Sequence, residues 1–247
     1  MKTQLTIIAI AASALLASTE ASAQFYPTEV GSSTTNTFPY CFVGKVHATF
    51  TTGGSQSSAT TIKPYTALTA GHCVYKTGAG WAKSVSFEPA KYYASAKGKH
   101  WATRLTVVAG YTSRAGSGTS NTNAGFSYDA GAFLCSTRPN AGGYAGNWAS
   151  PVPLTNTNYK MSLGYGAANH DGQQLLRSAP TRAFVKTSGA YFTNTTYRIE
   201  GGMSGGPVFV YTNGAWYVCA VNVSGGTTSG GVRNLDASTT AMMSNFY

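Results

Sequence analysis

Short runs that alternate apolar and polar residues recur along the chain, and this pattern constrains the fold more than any other feature of the sequence. In Phe42–Phe50, apolar or small residues alternate with mostly polar ones, as in a strand with one buried face. Many short, evenly spaced strands predict an all-β fold built from barrels or a sandwich. Clusters of Gly, Asn, Pro and Ser separate the further runs, which are Tyr65–Ala70, Leu105–Tyr111, Gly131–Cys135, Met161–Tyr165, Arg182–Lys186 and Tyr191–Ile199.

Two local signals refine this prediction. The pair Asn213-Gly214 lies between two apolar runs, and it supplies the positive φ angles that a tight hairpin turn needs. Helical signal is confined to the C-terminus, where Asp236 or Ser238 is placed to cap a short helix. One face of that helix would carry Met242, Met243 and Phe246.

The first residues have the features of a secretory signal peptide. Met1-Lys2 is a positive start, Leu5–Leu16 is mostly apolar, and Ala21-Ser22-Ala23 is a small-residue cleavage pattern. The apolar run is too short to span a bilayer. We therefore expect removal of residues 1–23 and a secreted protein, extracellular or retained in the periplasm, with no stable membrane association.

The basic charge raises the question of a nucleic-acid or carbohydrate partner. The formal net charge is +10, and the densest basic stretch, Lys83–Arg104, is interleaved with aromatic residues that single strands could stack on. The other basic residues are scattered, which favours a solvated surface on a cationic protein. We expect no nucleic-acid partner, and keep a basic binding module as an alternative function.

Four cysteines lie far apart in the sequence, and no pair has the CxxC spacing of a thiolate zinc site. An exported protein with an even count favours two disulfides. Three pairings are possible, and we favour Cys41–Cys73 with Cys135–Cys219. No metal and no cofactor is expected.

Two segments carry the chemistry, Thr69–Cys73 around His72 and Gly201–Pro207 around Ser204. A serine hydroxyl is a poor nucleophile at neutral pH, so it needs a base to take its proton as it attacks. A histidine titrates in the right range and can return the proton to the leaving amine. The glycines around the serine let backbone N–H groups, those of Gly202 and Ser204, point at a developing oxyanion.

A third group must hold the imidazole in the correct tautomer, and a buried carboxylate does this. Beyond residue 23 the aspartates are Asp129, Asp171 and Asp236. Asp171 lies in a turn signature and Asp236 where a helix cap is expected. Asp129 alone lies in an apolar run, where a carboxylate without a partner would be costly to bury. We therefore predict a His72, Asp129, Ser204 triad.

These segments resemble the histidine and serine motifs of chymotrypsin-like serine proteases, in particular the bacterial glutamyl-endopeptidase-like (V8-like) branch. In that family the order is His, Asp, Ser. The aspartate motif is matched by Tyr128–Leu134, and further similarity covers Leu163–Gly166 and Ser224–Gly226. The match extends over most of the chain after His72 and is patchy before it.

The resemblance implies a trypsin-like fold of two six-stranded antiparallel β-barrels with a short C-terminal helix. Residues 40–143 would form the first barrel, with His72 and Asp129, and residues 144–247 the second, with Ser204. Residues 24–39 would be a lead, and Asn140–Asn147 would link the halves. Ser224, Gly225 and Gly226 would pair with an extended polypeptide substrate. We expect a monomer.

Two departures from the family pattern bear on mechanism. Met203 stands where many members have an aspartate that pairs with a newly cut N-terminus, so that switch cannot operate here. Val223 replaces the histidine of glutamate-selective members. Arg198 would lie near the floor of the primary pocket, where it either pairs with an acidic side chain or faces solvent. Glu200 would line the pocket rim or lie outside it.

The sequence thus predicts a secreted serine endopeptidase that works through an acyl-enzyme. The alternatives are a catalytically silent, protease-like binding protein and the basic module above. The remaining histidines, His47, His100 and His170, are interpreted as surface residues.

Overall fold

A computed structural model describes residues 26–180, 183–226 and 228–246. The strands up to the middle of the chain are β1 Thr28–Glu29, β2 Val43–Phe50, β3 Gly53–Lys63, β4 Thr66–Thr69, β5 Tyr75–Lys76, β6 Gly80–Trp81, β7 Ser84–Pro89, β8 His100–Val107 and β9 Gly131–Cys135. Those that follow are β10 Gly146–Asn147, β11 Lys160–Gly164, β12 Leu176–Ser178, β13 Val185–Ser188, β14 Tyr191–Asn194, β15 Pro207–Thr212, β16 Ala215–Gly225 and β17 Gly230–Asn234. The helices are α1 Ser32–Thr35, α2 Tyr111–Gly116, α3 Asn123–Phe126, α4 Val152–Thr155 and α5 Ala237–Ser244.

Six strands close into a barrel in the order β2-β3-β4-β9-β8-β7. Strand β2 pairs along its whole length with β3 and over most of it with β7, all antiparallel. Alternation along the strands points Val46, Phe87 and Phe133 into the barrel interior, where they are buried. The six-stranded barrel predicted for the first half is confirmed.

The second sheet follows the path β1-β12-β11-β15-β16-β17-β14-β13, with β10 paired beside β16. Strands β15 and β16 form the predicted hairpin, since Asn213 and Gly214 have φ angles of 50° and 77°. Among the described residues the ladders of this sheet run from β1 to β13, and none of them joins β12 to β13. Its outermost strand, β1, comes from the N-terminal lead and pairs with β12.

The two halves share one hydrophobic cluster, which places their facing loops side by side. Val43 and Leu68 of the barrel pack in it together with Leu163 and Phe209 of the second sheet. The predicted C-terminal helix, α5, packs in the same cluster through Met242 and Met243, together with Phe246 just after the helix. Asp236 caps α5 through a capping box with Thr239, as expected for one of the two candidate caps.

Several local predictions were wrong. Helical signal was expected at the C-terminus alone, yet α1 to α4 are also helical. The strand predicted over Leu105–Tyr111 ends at Val107, because Gly110 adopts a left-handed φ of 89° and α2 begins at Tyr111. The 11-residue strand β3 was not predicted, since its Ser and Thr residues lack an apolar alternation.

The predicted disulfides are also not formed, because all four cysteines are buried free thiols. Cys135 lies in the barrel interior and Cys219 in the core of the second sheet, two separate clusters, so this pair cannot bond. Cys41 and Cys73 share a cluster but remain unbonded. The predicted signal peptide lies outside the described residues. Within them, no helix is long and apolar enough to cross a bilayer.

Candidate active site

His72 and Asp129 meet because of the strand pairing in the barrel. Strand β4 pairs with β9 so that Thr69 faces Gly131. His72 follows β4 by three residues in a short 3-10 turn, and Asp129 precedes β9 by two, so both project at the same end of the ladder. His72 Nδ1 lies 2.7 Å from Asp129 Oδ2. The backbone N–H of His72 also donates to Asp129 Oδ1 at 2.9 Å.

This pairing defines the state of the imidazole. Asp129 is 1% exposed, and both its carboxylate oxygens are engaged by His72. Hydrogen bonding to Oδ2 places a proton on Nδ1 and leaves Nε2 as the acceptor. Burial acts to lower the pKa of His72, but the charge and hydrogen bond of Asp129 raise this pKa well above its ordinary value. The group is therefore a stronger base than a free histidine.

The loop that carries Ser204 presents two unpaired donors. Gly202 has a φ of 98°, which favours glycine, and turns the backbone ahead of the serine. The N–H groups of Gly202 and Ser204 donate to no acceptor among the described residues, whereas the intervening Met203 N–H donates to the Glu200 carbonyl at 3.0 Å. Two free amides beside a hydroxyl are the donor set of an oxyanion hole.

Strand β3 holds this loop against the histidine segment. The Ser58 N–H donates to the Ser204 carbonyl at 2.8 Å, and Ser58 Oγ donates to the Gly202 carbonyl at 2.8 Å. Thr69, at the end of β4, donates its hydroxyl to the Ser58 carbonyl at 2.8 Å. A Cβ at Gly205, which has a φ of 78°, would collide with Thr69, so the loop approaches that segment closely. Sequence reasoning missed Ser58.

Among the described residues, no hydrogen bond joins Ser204 Oγ to His72. Without a bound substrate, catalytic hydrogen bonds are often long or poorly aligned. The two side chains line neighbouring cavities instead. Ser204 lines a cavity of about 410 Å³, and His72 lines one of about 450 Å³. Both cavities are bordered by the end of β16, at Ser224 and Gly225, and Gly226 lines the first.

An extended peptide laid along that strand end would send successive side chains to opposite sides, because side chains in a strand alternate. One side chain would enter the cavity of Ser204 and the next the cavity of His72. The placement of Ser224, Gly225 and Gly226 therefore suits the substrate-binding role predicted for them. The Ser224 hydroxyl itself pairs with the Tyr191 hydroxyl at 2.8 Å, a contact that the sequence did not indicate.

Arg198 is partly buried and is among the residues that line the Ser204 cavity. Its Nη1 donates to the carbonyls of Thr195 and Tyr197 at 2.8 and 3.0 Å. Its Nε is buried and lacks a hydrogen-bond partner. Val223 lines the same cavity, as the residue in place of the family histidine.

The three other histidines differ in their exposure to solvent. His47 is exposed, as predicted. His100 is 9% exposed and pairs with Thr137 at 2.8 Å, so its assignment to the surface was wrong. His170 is partly buried and lies 3.0 Å from the carboxylate of Glu200, a pairing of distant residues that the sequence did not indicate.

No family model and no curated protein matches the sequence. Solved structures do match the fold. A protease, Anisep, from Arthrobacter nicotinovorans has 20% identity and a TM-score of 0.68, over 83% of this chain and 94% of that one. A thermostable serine protease, AL20, from an extremophilic microorganism has 22% identity and a TM-score of 0.68, over 81% and 94%. A Glu endopeptidase has 24% identity and a TM-score of 0.69, over 89% and 95%. The predicted trypsin-like fold is confirmed.

Proposed function

We propose that this chain is a serine endopeptidase that hydrolyses peptide bonds through an acyl-enzyme intermediate. One observation carries the proposal: the buried Asp129 carboxylate holds the His72 ring at 2.7 Å, beside a loop on which Ser204 is flanked by the unpaired N–H groups of Gly202 and of Ser204 itself. The similarity in fold to solved structures of proteases supports it.

In the proposed mechanism, Asp129 keeps the proton of His72 on Nδ1, so Nε2 is free to accept a proton. The Ser204 hydroxyl attacks the substrate carbonyl and passes its proton to Nε2. The oxygen that becomes negative accepts hydrogen bonds from the Gly202 and Ser204 amides. The imidazolium then protonates the leaving amine. Water next attacks the ester carbonyl while Nε2 accepts a proton from that water, and the imidazolium returns the proton to the Ser204 oxygen as the ester breaks.

The proposed substrates are polypeptides in extended conformation. The strand end at Ser224–Gly226 would pair with the substrate backbone, as an added strand does. The side chain before the cleaved bond would enter the cavity of Ser204, which the positively charged Arg198 lines. An acidic side chain suits that charge.

We also propose that the protein is exported, on the strength of the signal-like segment before residue 24. The silent-binder alternative is disfavoured because no member of the triad or of the amide pair is missing. The basic-module alternative would require a cluster of unpaired cations, whereas Lys91 and Lys99 of the densest basic stretch pair with Glu88.

Incubation of the purified protein with a denatured protein mixture tests the proposal. We expect new peptide termini that reveal the preferred residue, and none from Ser204→Ala. Undiminished cleavage by Ser204→Ala would refute the proposal. Retention of both proteins on heparin without any cleavage would favour the basic module.

A further inference from the structure

The loop that carries the Gly202 and Ser204 amides has no ion pair at position 203, where many chymotrypsin-like proteases have an aspartate. Met203, between the two amides, is fully buried and apolar, so no charge holds the loop from that residue. Three residues earlier, the Glu200 side chain is 5% exposed. A carboxylate buried this far is costly unless it is paired. The partners of the Glu200 carboxylate therefore affect the position of the loop.

The segment from Gly166 to His170 surrounds the Glu200 carboxylate. His170 Nδ1 lies 3.0 Å from Glu200 Oε1, and Asn169 Nδ2 donates to Oε2 at 3.0 Å. A Cβ at Gly166 would collide with the carboxylate, so the backbone there is fitted closely around it. Both oxygens thus have a partner on one segment of the chain.

Backbone hydrogen bonds connect the paired Glu200 to the segment that holds the two amides. The Ala167 N–H donates to the Gly201 carbonyl at 2.7 Å, and the Met203 N–H donates to the Glu200 carbonyl at 3.0 Å. Glu200 and the first amide donor, Gly202, are separated by Gly201 alone. A shift of the Glu200 side chain would therefore move the peptide that orients Gly202.

We infer that His170 and Glu200 form a positioning pair that holds the oxyanion-binding amides in place, in the role that a charge at position 203 would otherwise have. His170 and Asn169 also engage both oxygens of the carboxylate in the cavity that holds Ser204, where Arg198 is the other charged side chain among the described residues that line it. An uncompensated carboxylate there would oppose the negative charge that develops on the substrate oxygen. The inference rests on the proposed peptidase function.

The test is a kinetic comparison of His170→Ala, Glu200→Ala and the double variant with the unmodified protein. The substrate is a peptide p-nitroanilide with the sequence that the unmodified protein cleaves. Rates are normalised to active sites titrated with a fluorophosphonate. His47→Ala is the matched control, since His47 is an exposed histidine outside the site. His170→Gln keeps a side-chain donor at the same position.

A pair that positions the amides acts on the transition state, so we expect kcat to fall roughly 10- to 100-fold in each single variant with little change in KM. The double variant should lose no more than either single one, because the two residues act as a unit. His170→Gln should recover part of kcat, and His47→Ala should match the unmodified protein. Thermal unfolding checks that each variant is folded.

Unchanged kcat in folded His170→Ala, additive losses in the double variant, or an effect on KM alone would each overturn the inference and leave the peptidase proposal intact. Failure of the unmodified protein to cleave the substrate and to react with the fluorophosphonate would instead refute the peptidase proposal itself, and the inference with it.

Discussion

Ser58, on a strand of the closed barrel, donates its backbone N–H to the carbonyl of Ser204 in the other half of the molecule at 2.8 Å. Its hydroxyl extends the link, because Oγ donates to the Gly202 carbonyl and accepts the Tyr165 N–H, both at 2.8 Å. The loop of the proposed nucleophile, Ser204, is thereby tied to the barrel that carries the proposed base, His72.

Replacement of Ser58 by alanine should weaken this link. The Tyr165 N–H would lose its acceptor in a buried setting, which costs about 1–3 kcal/mol of unfolding free energy. We also expect a lower kcat, since the Gly202 carbonyl would lose its donor. Denaturant unfolding and steady-state kinetics measure the two effects. Ser55→Ala, on the same strand, is the control and should change stability by less than about 0.5 kcal/mol. Equal effects of the two substitutions would contradict the role of Ser58.

Activity should rise toward alkaline pH. Catalysis needs neutral His72, and its pKa is raised because the charges and hydrogen bonds of Asp129 and Cys73 together outweigh the opposing effect of burial. The acid limb of the profile of kcat/KM against pH should therefore have its midpoint above the ordinary histidine value of about 6.5. Asp129→Asn removes the charge and should lower activity greatly across the range. A midpoint below the ordinary value in the unmodified protein would contradict this account.

Arg198 should determine preference at the cleaved residue. Arg198 lines the cavity of Ser204, so its positive charge lies close to a substrate side chain bound there. We expect faster hydrolysis of peptides with Glu or Asp before the cleaved bond than of matched Gln or Asn peptides. Arg198→Leu should reduce that ratio by roughly tenfold or more, in line with the loss of a charge-assisted hydrogen bond. A ratio near one in the unmodified protein would exclude this role.

Asp236 should matter more for stability than a helix cap alone. It caps α5 and pairs with Arg233, whose side chain is 1% exposed. Asp236→Ala would remove the cap and the counter-charge of Arg233, and because the Asp236 side chain is itself 35% exposed, we expect a loss of about 1–3 kcal/mol of unfolding free energy. Thermal unfolding measures it, with Asp171→Ala, a turn residue, as the comparison.

The pH dependence of stability gives an independent check on Asp236. Burial acts to raise the pKa of Asp236, but the charge of Arg233 and the hydrogen bonds from Ser238, Thr239 and Arg233 together lower this pKa overall. A carboxyl whose pKa is lowered on folding adds stability above its unfolded pKa, and this stability is lost as the pH falls through the folded value. The Asp236→Ala variant should therefore lose less stability on acidification than the unmodified protein. A loss as large as in the unmodified protein would count against the ion pair.

The parts of the site that depend on local sequence were predictable. The Gly-rich serine segment, the Asn213-Gly214 turn and the Asp236 cap each need specific residue types at specific positions, and each lies where it was expected. Asp129 was identified because an apolar run around a carboxylate indicates a buried charge, and Asp129 is indeed buried against His72.

The parts that depend on contacts between distant segments were not predictable. Strand β3 was missed because its buried Ser and Thr residues look like a loop until their partners across the two halves are known. The pairing of His170 with Glu200 joins residues 30 apart, and neither has a local pattern that distinguishes it from a surface residue. The strand order of the second sheet is likewise a matter of tertiary geometry.

Covalent labelling tests the central claim most directly. The folded protein is treated with a fluorophosphonate, and the adduct is located by intact mass and peptide mapping. The account predicts one adduct, on Ser204, that is absent from Ser204→Ala and forms more slowly in His72→Ala by about 10⁴-fold or more. A folded protein that stays unlabelled, or that is labelled equally well without His72, would contradict it.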